Sequence, residues 1–275
     1  VDGWAGGAGR AKAGGGVSGS GNTRGLSDPG HAELMSTNAR RPCALVMFDL
    51  DGTLIETAPE ICDAVNDTLR HFGLPEVSQD SVDRWIGQGT RELLIQALAH
   101  VRRVKAELIR SSATLPLIAA EFDSHYQRRC GTRSHLYPHV RGVLQHLREQ
   151  AVKLAVVTNK EARYTRTVLD AHQLTPLFDR VVSGDSLPTK KPDPAGILSC
   201  LDQFQVLPAR ALFVGDSSID VATARNAGVP VWALPYGYNM GQPIEACQPD
   251  RVIQDFSALA VTPSPSGRGN EFKFL

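Results

Sequence analysis

Between residues 44 and 259 short apolar runs alternate with amphipathic helical patterns, and that alternation constrains the fold more than any other feature of the chain. Strand-like runs fall at 44–48, 154–157, 181–182, 211–214 and 229–234, with 251–253 as a last, short edge strand. Helical patterns at 140–150, 162–172 and 195–204 separate most of them. Strands that alternate with helices imply a parallel sheet joined by right-handed crossovers. The expected class is α/β, with a Rossmann-like parallel core.

One interval breaks the rhythm. From 58 to 131 no convincing strand is found. Residues 58–72 read as a helix with Ile61, Val65, Leu69 and Phe72 on one face, and 90–100 as another, with Leu93, Leu94, Ala97 and Leu98 apolar. A third helix is expected within 115–129. The predicted organisation is a Gly-rich tail at 1–40, an α/β core from 41–57 and 134–262, an inserted helical cap at 58–133, and a tail at 263–275. The chain opens on Val, and a misassigned translation start is one expectation for its tail.

Lys plus Arg and Asp plus Glu each number 29, so the formal net charge is zero. With no basic excess and no basic stripe, a nucleic-acid partner is not expected, and any anion site must be built locally. No apolar run approaches the ~20 residues that span a bilayer, so no membrane partner is expected. Residues 1–30 lack the apolar stretch of a secretory signal. The Gly-rich stretch at 19–25 has no preceding strand, so it is not read as a phosphate loop. Five cysteines are scattered without a C-x-x-C pair, which argues for free thiols in a reducing cytoplasm. His135 and His139 flank Pro138 and share no helix face, so they are not read as a metal pair. Trp85, Phe122 and Phe204 are expected to fill core.

Four chemically loaded segments each follow a strand. Asp49-Leu50-Asp51-Gly52-Thr53-Leu54 follows the first, and Thr158-Asn159 closes the second. Lys190-Lys191-Pro192-Asp193-Pro194 follows the third, and Gly215-Asp216-Ser217-Ser218-Ile219-Asp220 the fourth. In a parallel sheet all carboxyl ends face one edge, so these segments converge in the crevice where open α/β sheets bind ligands. Asp49, Asp51, Asp216 and Asp220 in one small volume call for a cation, and oxygen ligands of this kind suit Mg²⁺. Lys191 adds a fixed positive charge and Thr158 a hydroxyl donor. A phosphate pocket beside a metal is the expectation. Lys190 is read as a solvated neighbour of Lys191.

In order and spacing these motifs resemble the phosphatase branch of the haloacid dehalogenase superfamily, from about residue 44 to 259. The resemblance implies that Asp49 is the nucleophile and Asp51 the general acid and then base. It implies Mg²⁺ held by Asp49, the backbone carbonyl of Asp51, and Asp216, with Asp220 in support. Thr158 and Lys191 would hold the phosphoryl group, and Asn159 with backbone amides would complete the cradle. Tyr236-Gly237-Tyr238-Asn239 and the cap pattern resemble bacterial phosphoglycolate phosphatases, which implies 2-phosphoglycolate as the small phosphorylated metabolite. Arg91, at the start of a cap helix after Gly87-Gln88-Gly89-Thr90, is the expected contact for a substrate carboxylate. Glu56 stands where the family usually has Asp.

Two alternatives remain at this level. One is a β-phosphoglucomutase-like phosphotransferase. The other is a non-catalytic phosphate-binding regulator, against which the intact Asp49 and Asp51 speak. Phosphonate hydrolysis needs a cap lysine for a Schiff base, and nothing around Lys105, the only lysine of 58–133, marks it for that chemistry. Nothing in the sequence speaks to oligomeric state.

Overall fold

A computed structural model describes residues 43–260. The expected tails, and the Gly-rich stretch at 19–25, lie outside the described residues. The chain enters through β1 (Leu45–Phe48), whose four residues are all buried. A strand buried on both faces reads as a continuous apolar run rather than an alternating one. The short β2 (Ile55–Glu56) follows, and then five helices: α1 (Ala58–His71), α2 (Gln79–Asp83), α3 (Thr90–Arg102), α4 (Ala106–Arg110) and α5 (Leu115–Arg129). The return is through β3 (His135–Leu136), which pairs antiparallel with β2. This two-residue ribbon joins the two ends of the helical segment, and Glu56 lies opposite His135 in it, with His135 Nε2 2.8 Å from Glu56 Oε2.

The rest alternates as expected: α6 (Val140–Glu149), β4 (Lys153–Val157), α7 (Ala162–Ala171), β5 (Arg180–Val182), α8 (Ala195–Phe204), β6 (Ala211–Gly215), α9 (Ser218–Asn226), β7 (Val231–Ala233) and β8 (Arg251–Val252). The main sheet is parallel throughout, in the order β5-β4-β1-β6-β7-β8. β7 is shorter than the run at 229–234 suggested. The Val229 amide bonds back to Ala224 at the end of α9, and Pro230 has no N–H to give to a ladder. β1 is central, and the chain steps first to one side of it and then to the other. That reversal is the switch point at which a crevice opens beyond the strand ends.

Alternate strand residues feed two cores. Val46, Phe48, Leu154, Val156, Leu212 and Val214 enter one buried cluster, and Leu45, Met47, Ala155, Val157, Ala211 and Phe213 the other. The first cluster runs without a break into the helical segment, through Ile61, Val65, Leu69, Leu94, Leu98 and Phe122. Full burial of each such side chain contributes about 1.5–3 kcal/mol. Phe122 fills core as expected, whereas Trp85 and Phe204 are only partly buried against it. Among the described residues no helix is long and apolar enough to cross a membrane.

Candidate active site

Asp49 is the first residue beyond β1, and its amide still bonds to Val214 of β6. The chain then turns tightly: the Leu50 carbonyl accepts from the amides of Thr53, Leu54 and Ile55, and Gly52 adopts φ +85°. A Cβ at Gly52 would lie 2.4 Å from Asp216 Oδ2, and one at Gly237 would lie 2.1 Å from the same atom. The Asp216 carboxylate is thus gripped between two backbone segments that only glycine allows so near. Thr53 Oγ1 donates to Asp216 Oδ1 at 2.5 Å, and the Tyr238 amide donates to Oδ2 at 2.6 Å.

Lys191 and Asp220 are buried beside them. Lys191 Nζ lies 2.7 Å from Asp220 Oδ1, to which it donates, and 2.6 Å from Asp49 Oδ1. The second approach is a charge contact without hydrogen-bond alignment, so Asp49 Oδ1 is buried and has no hydrogen-bond partner. Asp220 Oδ2 accepts from the Ser217 hydroxyl at 2.6 Å and from the amides of Ser217 and Asp216. With Ser217 it closes a reciprocal cap on α9. Asp220 therefore serves the helix start and Lys191 together.

Asp49, Asp216 and Asp220 each bring a carboxylate oxygen within 4.8 Å of the others. Burial, only partly offset by Lys191, pushes the Asp49 carboxyl up to about 7. Burial, with Asp220 and Asp49 close by, raises Asp216 well above the usual carboxylate range. Burial lowers the Lys191 ammonium, but Asp220 and Asp49 outweigh it and hold its pKa above the ordinary lysine value. One ammonium does not balance three dry carboxylates, and a divalent cation with oxygen preference would.

Thr158 follows β4, and its hydroxyl accepts from the Lys160 amide at 3.2 Å. Asn159 is buried, and its amide nitrogen donates to the carbonyls of Gly87 and Lys191 at 2.9 and 3.0 Å. Both of its side-chain N–H bonds are spent on tying two loops together. The orphaned atom there is Asn159 Oδ1, an acceptor.

Sequence reasoning missed Lys160. Its buried ammonium contacts both oxygens of Asp51, at 2.9 and 3.1 Å, and the Tyr126 hydroxyl on α5. Thr57 donates to Asp51 Oδ1 at 2.7 Å. Burial acts to lower the Lys160 pKa, but Asp51 more than reverses that, and the value is raised. The signal was present as a lysine two residues past Thr158, but a lysine before a helix reads as solvated.

Asp49, Asp51, Thr158, Asn159 and Lys160 line one wall of a cleft, and Ile61, Ile86, Gly87, Gly89, Thr90 and Leu93 line the other. The cleft holds about 390 Å³ of empty space, its open mouth included. Its second wall is pinned to the first by Asn159 to Gly87, by Thr90 to Glu161 at 2.6 Å, and by Lys190 to the Gln88 carbonyl at 2.6 Å. Lys190 is exposed, as expected of a solvated neighbour of Lys191, and also tethers two loops. Arg91 is not brought in: it is exposed and absent from the lining. The cleft instead meets the start of α3, where the N-cap is Gly89 and no side chain caps the first amides.

The family model for haloacid dehalogenase-like hydrolases matches residues 46–234. A phosphoglycolate phosphatase of Aliivibrio fischeri is 39% identical over 215 residues, 78% of this chain and 94% of that protein. One from Pseudomonas putida is 39% identical over 216 residues, covering 78% of each. Among solved structures, a predicted phosphoglycolate phosphatase of Haemophilus somnus superimposes with a TM-score of 0.74 at 33% identity, covering 79% of this chain and 96% of that one.

Proposed function

The chain belongs to the haloacid dehalogenase-like hydrolases, and we propose that it is a Mg²⁺-dependent phosphatase that hydrolyses 2-phosphoglycolate through a phosphorylated Asp49. The observation that carries this reading is Asp49 itself. It is a buried carboxylate with one oxygen free of hydrogen bonds, Lys191 at 2.6 Å, and a cleft in front of it.

The carboxylates fit the metal that the family implies, because Asp49 and Asp216 are buried with too little positive charge around them. Asp49, Asp216 and the carbonyl of Asp51 would hold Mg²⁺, which when bound offsets the charge of the phosphoryl oxygens as the carboxylate approaches. Asp220, with both oxygens engaged, positions Lys191 and the loop that carries Asp216.

In the first step an Asp49 oxygen bonds to phosphorus, and the bond to the leaving alkoxide breaks. Asp51, held by Thr57 and Lys160, gives that oxygen its proton. Lys191 and the Thr158 hydroxyl bear the charge on the phosphoryl oxygens. In the second step Asp51 takes a proton from water, the water oxygen bonds to phosphorus, and Asp49 leaves as a carboxylate. Covalent capture divides one hard displacement into two easier ones.

The helical segment 58–133 acts as the lid, with the loop at 87–90 among its contacts to the core. The small cleft and the uncapped start of α3 suit a short substrate with a carboxylate at the far end from its phosphate. The names of the relatives agree with that. The test is phosphate release from a panel containing 2-phosphoglycolate and glucose 1-phosphate, with Mg²⁺ and with EDTA. The reading expects 2-phosphoglycolate to have the highest kcat/KM, and EDTA to stop release. Conversion of glucose 1-phosphate to glucose 6-phosphate as the main reaction would replace it with phosphotransfer.

A further inference from the structure

The helical segment carries a second group of metal-ligating side chains, far in chemistry from the carboxylates at the sheet edge. His71 ends α1, and Glu121 and His125 stand one turn apart on α5, which packs along α1. His125 Nε2 lies 3.0 Å from Glu121 Oε1, and His71 Nδ1 lies 3.5 Å from the same oxygen. One ligand atom from each residue falls within 4.8 Å of the other two. His125 Nε2 is shielded from solvent and makes no hydrogen bond.

We propose that His71, Glu121 and His125 form a binding site for one transition-metal dication of the Zn²⁺ class, separate from the site at Asp49 and Asp216. Two imidazoles and one carboxylate suit Zn²⁺, Co²⁺, Ni²⁺ or Cu²⁺, whereas an all-oxygen set suits Mg²⁺. The two sites therefore sort metals by ligand chemistry.

The spacing supports this. Ligands about 2.0–2.1 Å from a tetrahedral zinc lie about 3.4 Å from one another. The separations of 3.0 and 3.5 Å straddle that value. Three protein ligands leave a fourth position open. The His125 side chain is 16% exposed and that of His71 53%, so the site has a fixed inner ligand and an outer one reachable from solvent.

The far side of His125 is also furnished. Asp67 Oδ2 lies 3.8 Å from Nδ1. That gap is too long for a hydrogen bond, and Asp67 Oδ2 already accepts from Arg129, so only after a shift on metal binding would this carboxylate take an Nδ1 proton. Arg128, which can only donate, bonds to Nδ1 at 2.8 Å and so leaves the proton of a neutral ring on Nε2; metal binding at Nε2 requires that proton to move to Nδ1 and Arg128 to turn away. It is exposed, so this motion disturbs no packing. A bound ion would staple the end of α1 to the middle of α5.

Cobalt titration of the full chain, with Mg²⁺ in excess to occupy the carboxylate site, tests the proposal. Visible absorption should report one equivalent of Co²⁺ in a four-coordinate nitrogen and oxygen environment. His71→Ala and His125→Ala should each weaken it at least about tenfold, as disruption around a metal ligand does. His71 is more than half exposed, so His71→Ala should keep its circular dichroism spectrum. In parallel, Zn²⁺ should raise the Tm of the parent and not that of His71→Ala. Absence of the cobalt band, or equal binding and equal Tm shifts in parent and His71→Ala, overturns the site.

Discussion

Lys160 and Asp51, 109 residues apart, form a buried pair in which one ammonium donates to both carboxylate oxygens. In the proposed mechanism Asp51 faces the leaving oxygen, and a carboxylate on a turn has two rotatable bonds to lose. Lys160 and Thr57 fix it, and Tyr126 ties Lys160 in turn to α5. The expected outcome for Lys160→Met is a fall in kcat of about 10²-fold, the scale on which small misplacements of a reacting group act. Steady-state kinetics checks it. A rise in KM alone would make Lys160 a binding group instead.

Metal binding should be coupled to protons. In the metal-free protein burial disfavours the charge of Asp49 and pushes its carboxyl up to about 7. Its unfolded value is about 3.9. A folded pKa above the unfolded one means that the group favours folding below the unfolded value and ceases to as pH rises through the folded one. Mg²⁺ requires the ionised form, so its affinity should fall as pH drops below about 7. Calorimetric Mg²⁺ titrations on either side of that pH check the sign. They should show protons released to buffer on the acid side, and Mg²⁺ should raise Tm more on the alkaline side.

Gly237→Ala tests the grip on Asp216. The added methyl would sit 2.1 Å from Asp216 Oδ2 and 2.4 Å from its Cβ, so the carboxylate has to move. Activity should fall by about 10²-fold or more through lost metal and substrate positioning, read as a raised Mg²⁺ requirement.

Arg91→Ala, by contrast, should change kcat/KM for 2-phosphoglycolate by no more than about twofold, as for a surface site. The side chain is exposed and outside the cleft. A loss confined to substrates that carry a carboxylate would restore the role that its sequence position suggested.

The fold was legible where burial dictates composition. β1, β4 and β6 sit inside a parallel sheet and read as unbroken apolar runs. β2 and β3 hold two residues each, too few for a period, so the ribbon at the ends of the helical segment was invisible. The same limit hid the five-residue helices α2 and α4. The acidic and basic motifs were legible because each follows a strand, and topology gathers strand ends. Lys160 was not, because its partner Tyr126 comes from a helix whose packing the sequence leaves open. That Arg91 stands outside the cleft lining was not legible either. The start of α3 is tied to the core by Asn159 to Gly87, Lys190 to Gln88 and Glu161 to Thr90, and those are tertiary contacts.

The central claim is that Asp49 carries the phosphoryl group, and chemical trapping tests it most directly. Enzyme quenched during turnover of 2-phosphoglycolate with Mg²⁺ is treated with borohydride, which reduces an acyl phosphate to an alcohol. The peptide that contains Asp49 is then examined by mass spectrometry. The account predicts homoserine at position 49 in the parent and none in Asp49→Asn, which should also lose turnover while keeping its fold. Active enzyme that yields no homoserine at 49, or an Asp49→Asn protein that still turns over, contradicts it.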